Sequence, residues 1–108
     1  GLPWWLALQG KGPFVRLRSA DASFLRRVNI FYSRLFRRIR AANLTADLGG
    51  PIVMAQVENE YGSFGSDKAY LNYLRDLWRS GLGNGVVIHS TDGPESPQML
   101  DGSRVPGV

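Results

Sequence analysis

The 108 residues carry 13 Lys and Arg against 9 Asp and Glu, for a formal charge of +4, with 44% hydrophobic and 11% aromatic residues and no cysteine. That apolar content excludes an intrinsically disordered chain, and without cysteine no disulfide or thiolate chemistry is available within the stretch. No apolar run approaches the roughly 18 residues that a membrane span requires.

Gly1 to Pro13 is rich in Gly, Pro and Trp and reads as a loop with a short apolar patch at Trp4, Trp5 and Leu6. The two tryptophans have two roles open to them, a stacking platform for an apolar ligand face or buried packing, and packing is the favoured one. Phe14 to Arg18 alternates apolar and basic residues, as a short extended segment does. A helix of about 18 residues is then expected from Asp21 or Ser23, either of which can cap the free amides of the first turn. Phe24, Val28, Phe31, Leu35 and Ile39 recur at spacings of four, three, four and four and form its predicted buried stripe. Arg26, Arg27, Arg34, Arg37, Arg38 and Arg40 fall largely opposite and read as a solvated outer face. A phosphate-binding stripe is the other use of such a helix. No base-reading motif or aromatic platform accompanies it, so nucleic acid is not the expected partner.

Asn43 to Gly50 is a loop that delivers the chain through Gly-Gly-Pro into a strand. Ile52, Val53, Met54, Ala55 and Val57 put apolar bulk on both parities, as a strand covered on both faces requires. Gln56, Glu58 and Glu60 then share one parity and are expected to line one face at its carboxyl end, with Asn59 opposite unless the backbone bulges. After turn residues at Ser63 to Ser66, a second helix capped by Ser66 or Asp67 buries Tyr70, Leu74, Leu77 and Trp78 and ends at Gly81 or Gly83. Val86, Val87 and Ile88 make the next short strand, and beyond Asp92 the chain reads as turns through Pro94, Pro97, Gly102 and Pro106. Helices alternating with apolar strands predict an α/β chain with a parallel sheet and crossover helices.

Three polar side chains at the end of an apolar strand look like a site, and their wording carries a resemblance. Gln56-Val57-Glu58-Asn59-Glu60-Tyr61-Gly62 after Gly49-Gly50-Pro51 resembles the active-site strand of the family 35 glycoside hydrolases, the β-galactosidases. Gly1-Leu2-Pro3-Trp4-Trp5-Leu6, Arg16-Leu17-Arg18, Ser90-Thr91-Asp92-Gly93-Pro94 and Pro106-Gly107-Val108 resemble further stretches of that family in the same order. The resemblance implies a partial (β/α)8 barrel running from the end of the third strand to after the fifth. A whole barrel takes about 250 residues, so residues 1–108 are expected to be a fragment of one catalytic domain. A start without Met and a stop where another strand is due fit that expectation. Two departures stand out: the family's Ala-Glu-Trp stretch does not precede Gly1-Leu2-Pro3, as expected if the chain begins after it, and Asp21-Ala22 replaces its Asp-Pro.

The implied reaction is retaining hydrolysis of terminal β-D-galactose, with one carboxylic acid protonating the leaving oxygen and a second carboxylate trapping the sugar carbon. The resemblance makes Glu60 the acid/base and lets Asn59 bond the sugar 2-hydroxyl. It places the nucleophile on a later strand, outside this chain. Asn59, Glu58 and Tyr61 are the substrate-binding candidates. Glu58 approaches from the same side as Glu60, which disfavours it as nucleophile, and a buried, hydrogen-bonded structural carboxylate is the favoured reading. For Tyr61, a hydrogen bond in the pocket and plain packing weigh equally. His89 is expected as a satisfied core or rim histidine, and Asp92 as a turn cap. No cofactor or metal is expected, and by resemblance the localisation is secreted, cell-wall, or lysosomal/vacuolar, as is common in the family. The reading set against this enzyme is a non-catalytic carbohydrate-binding remnant or a basic nucleic-acid-binding module.

Overall fold

The computed structural model describes residues 2–8, 15–94 and 96–108. The expected loop at residues 9–13 and the expected start of the extended segment at Phe14 lie outside the described residues. A 3-10 turn at Trp4–Leu8 leads the chain. The helix α1 spans Ala22–Ala41, the strand β1 Met54–Gln56, the helix α2 Lys68–Leu82, the strand β2 Val87–His89 and the short helix α3 Pro97–Ser103. β1 and β2 are parallel, with Ala55 opposite Ile88, and α2 makes the crossover between them. A lone parallel bridge joins Thr45 to Ile52 ahead of β1.

The helix boundaries follow from capping chemistry. Asp21 accepts the Ser23 and Phe24 amides at the start of α1, and Asp67 accepts the Tyr70 amide at the start of α2. Gly83 closes α2 with φ of 83°, a conformation that costs a Cβ-bearing residue steric strain.

The core lies between the two helices and one face of the strand pair. Phe24, Val28 and Phe36 of α1 meet Tyr70, Leu71, Leu74, Trp78 and Leu82 of α2 over Val57, Val86 and Ile88. Rings lock the helices together, with Tyr32 and Phe36 centred 4.0 and 5.1 Å from the Trp78 ring. Such pairs add to the transfer free energy of their buried area.

Four expectations are corrected here. The buried stripe of α1 runs through Phe24, Val28 and Phe36, and Phe31 and Leu35 lie exposed, Phe31 by 62%. Heavy ring packing on Trp78 rotates the helix toward Tyr32 and Phe36, about one residue round from the predicted stripe. Among the described residues the apolar strands are covered on one face only, because Met54 and Val87 are exposed while Val86 and Ile88 are buried. Trp4 and Trp5 are exposed as well, since the leading turn buries Leu6 and not the rings. The stretch read as turns after Asp92 contains α3, started by a Ser96 cap and Pro97 in its first turn.

The arginine face also needs amendment. Arg26, Arg34, Arg37 and Arg38 are exposed, but Arg40 turns inward. Its Nη1 donates to Asp47 Oδ2 at 2.6 Å, Thr45 Oγ1 at 3.0 Å and the Leu82 carbonyl at 3.2 Å. That one guanidinium ties the end of α1 to the end of α2 across the fully buried Thr45.

Candidate active site

At the carboxyl end of β1 the backbone stops being a strand. Val57 donates to the His89 carbonyl at 2.8 Å and Glu60 to the Thr91 carbonyl at 2.7 Å, so the segment stays beside β2. Between those bonds Glu58 and Glu60 adopt φ of 63° and 51°, in the left-handed region. A 3-10 turn at Tyr61–Ser63 follows. Simple alternation therefore fails after Gln56, and Gln56, Glu58 and Glu60 do not share a strand face. Left-handed backbone at non-glycine residues costs about 1–3 kcal/mol each and persists where surrounding contacts over-determine it.

Those contacts converge on Glu58. Its Oε1 accepts from Arg18 Nε at 3.1 Å and from the Tyr70 hydroxyl at 2.5 Å. Its Oε2 accepts from Arg18 Nη2 at 2.7 Å and from the Asn59 amide at 2.9 Å. Two bonds per oxygen use the four acceptor positions of a carboxylate. Burial pushes the Glu58 carboxyl up, but the bonds from Arg18, Tyr70 and the Asn59 amide, with the charge of Arg18, together outweigh it and hold the group below the ordinary glutamate value. The Glu58 bond raises the Arg18 guanidinium in turn, against the opposing effect of burial. For Tyr70, burial and the neighbouring carboxylate push the phenol far above its usual range. The three groups keep fixed charge states at neutral pH.

Arg18 also has left-handed backbone, with φ of 51°, and its carbonyl accepts from the Tyr61 hydroxyl at 2.9 Å. Tyr61 is thus both buried and hydrogen-bonded, at 2% exposure. The guanidinium of Arg18 lies 4.4 Å from the centre of the Phe64 ring. Gln56 Nε2 donates to the Glu58 carbonyl at 2.8 Å and to Asn59 Oδ1 at 3.0 Å. With its oxygen so engaged, the Asn59 amide has its NH2 as the group to offer a ligand.

Glu60 is solvent-exposed at the end of this segment, and its carbonyl accepts from Ser63. A cavity of about 330 Å³ is lined on its polar side by Arg18, Gln56, Glu58, Asn59 and Tyr70. Its apolar wall includes Phe24, Tyr32 and Trp78. The geometry therefore gathers Gln56, Glu58 and Asn59 at the cavity, while Glu60 and Tyr61 lie outside its lining. Among the described residues, no three His, Asp or Glu side chains form a metal-sized group.

Two further expectations resolve at the rim. His89 is not satisfied among the described residues, where its Nδ1 is buried without a hydrogen-bond partner. Asp92 accepts from Ser103 Oγ at 2.7 Å and so anchors α3. α3 packs on the turn after Glu60 so closely that a Cβ at Gly62 would overlap the Met99 carbonyl. Lys68 Nζ donates to the carbonyls of Asp101, Gly102 and Arg104 at the end of α3.

The sequence alone does not single out Arg18 or Tyr70 for the site. Arg18 is visible only as part of the Arg-Leu-Arg wording, and Tyr70 only as a member of a buried stripe. Nothing local signals that a side chain 40 residues upstream will reach Glu58.

The family model described as Glycosyl hydrolases family 35 matches residues 1–108. Beta-galactosidase 1 of Dictyostelium discoideum is 46% identical over 100% of this chain and 16% of its own length. Beta-galactosidase 8 of Oryza sativa subsp. japonica is 41% identical over 94% of the chain and 14% of its own. Beta-galactosidase 17 of Arabidopsis thaliana is 38% identical over 98% and 14%. The chain thus spans about a seventh of the length of these curated relatives.

Proposed function

The chain belongs to glycosyl hydrolase family 35, and we propose from this that the protein containing it is a retaining β-galactosidase, with Glu60 as its acid/base catalyst. The observation that carries the reading is the family match over every residue of the chain, Asn59 and Glu60 included. The chain is a β-α-β piece of a (β/α)8 barrel in this reading. The bare apolar face of β1 and β2, with Met54 and Val87 exposed, supports it, because a barrel covers that face with its own interior.

Glu60 donates its proton to the departing glycosidic oxygen and later takes one from the attacking water. Asn59, its oxygen held by Gln56, donates from its NH2 to the sugar hydroxyl whose bond strengthens in the transition state. The nucleophile comes from another part of the barrel. Glu58 and Tyr61 support the site without touching sugar, since Glu58 has no acceptor position left and Tyr61 is turned to Arg18. Galactosides are the substrate class, and the remaining barrel supplies the second carboxylate.

In the full-length protein, Glu60→Gln should lower turnover of a β-galactosyl disaccharide by about 10²- to 10⁴-fold, the contribution of a positioned general acid. An aryl galactoside with an acidic phenol leaves without that proton, so its first step should fall far less. Wild-type disaccharide turnover by Glu60→Gln would end the assignment. Purified residues 1–108 alone should show no hydrolysis, because one carboxylate cannot run a double displacement.

A further inference from the structure

We propose that Arg18 and Glu58 form a clamp on the Asn59 peptide that sets where the Glu60 carboxyl stands, which makes Arg18 a positioning residue for proton transfer. The inference rests on the reading of Glu60 as the acid and deepens it.

Asn59 is gripped at both of its backbone polar groups. Its N–H donates to Glu58 Oε2 at 2.9 Å, and its carbonyl accepts from Arg18 Nη2 at 2.8 Å. The same Nη2 also donates to Glu58 Oε2 at 2.7 Å, so one guanidinium nitrogen closes a ring through carboxylate and peptide. The next residue is fixed from the opposite side, by the 2.7 Å bond from the Glu60 amide to the Thr91 carbonyl beside β2. Glu60 therefore follows a peptide whose rotation is blocked by Arg18 and whose far end is pinned to the neighbouring strand.

The clamp has its own support. Tyr70 of α2 bonds Glu58 Oε1, and the Tyr61 hydroxyl holds the Arg18 carbonyl. Phe64 covers the guanidinium face. A guanidinium presents its donors in a rigid plane, which allows Nε and Nη2 to take both carboxylate oxygens while Nη2 still reaches the Asn59 carbonyl. Lysine has the charge without the fork. Left-handed backbone at Arg18, Glu58 and Glu60 falls within this one cluster, as expected where strain is held in place for function.

The test is a leaving-group comparison in the full-length protein. Arg18→Ala should lower kcat/KM for a β-galactosyl disaccharide by about 10²-fold, the scale of a misplacement near 1 Å. For an aryl β-galactoside with an acidic phenol the loss of kcat/KM, which reports only the steps through departure of the phenol, should be a small fraction of that. Millimolar guanidinium should restore part of the disaccharide rate, which relief of a folding defect would not do. Equal losses of kcat/KM on both substrates, or no rescue, would overturn the clamp. Should Arg18→Ala not fold, Arg18→Lys decides, because it keeps the stem and the charge but not the fork. A loss confined to the disaccharide supports the clamp there, and wild-type rates or equal losses overturn it. Glu60→Gln run alongside reports on the acid by itself. Full disaccharide turnover in that variant removes both readings, whereas its inactivity beside equal losses in the Arg18 variants removes the clamp alone.

Discussion

The helix pair and the turn after β1 are built by different rules. α1 and α2 are held by area: Phe24, Phe36, Leu71 and Trp78 are buried by repeating spacings, and each loss is paid in cavity volume. The turn at Glu58 to Glu60 is held by a few directed bonds, to Arg18, Tyr70, Gln56 and Thr91, around backbone that no repeating pattern produces. In the first region the energy is spread over many atom contacts, none of which alone sets the geometry. In the second, one fork carries the geometry.

That contrast is testable in order of effect. Phe36→Ala should destabilise by about 3–5 kcal/mol in denaturant unfolding. It should leave the ratio of disaccharide to aryl galactoside turnover as it is in the wild type. A changed ratio would show that the two regions are not separable.

Acid should act on the turn. The Glu58 carboxyl sits below its ordinary value of 4.5 in the fold, so the unfolded chain takes up its proton first as pH drops. Its stabilising contribution is whole above that ordinary value and disappears as pH falls through the lower folded value. Asp67 is lowered by the Ala20 and Tyr70 amides that it accepts and adds in the same direction. Unfolding followed from pH 7 to pH 2 should therefore show stability falling below about pH 4.5, with a shallower fall in Glu58→Gln. An identical slope in that variant would contradict the assignment.

Asp67→Ala, which removes the cap of α2, should cost about 1 kcal/mol in the same unfolding measurement. Phe31→Ala should be smallest, within about 0.5 kcal/mol, because its ring is already in solvent in this fold. A loss of several kcal/mol in the full-length protein would instead show that another part of it covers this side of α1.

The same division explains what could be read from the sequence. Asp21, Asp67 and Gly83 bound their helices because caps act within a few residues. The β-α-β order and the parallel pairing follow from short apolar strands alternating with helices. The α1 stripe was misread between Phe31 and Tyr32, two aromatic neighbours whose hydrophobicity alone does not decide which one meets Trp78. α3 had a signal, Ser96 before Pro97, that was hidden by the surrounding turn residues. The Asn59-Glu60 pair stood out by its wording, but its shape did not, since three left-handed residues depend on a contact between Arg18 and Glu58 spanning 40 positions.

Gly62 shows how a position without a functional group comes to look indispensable. Any side chain there drives the Met99 carbonyl away and lifts α3 from the turn that follows Glu60. A saturation library scored for survival on a galactoside should be emptied of every alternative at this codon as thoroughly as at Glu60. Only a protein-abundance score alongside would separate a residue that lacks room from one that lacks a proton.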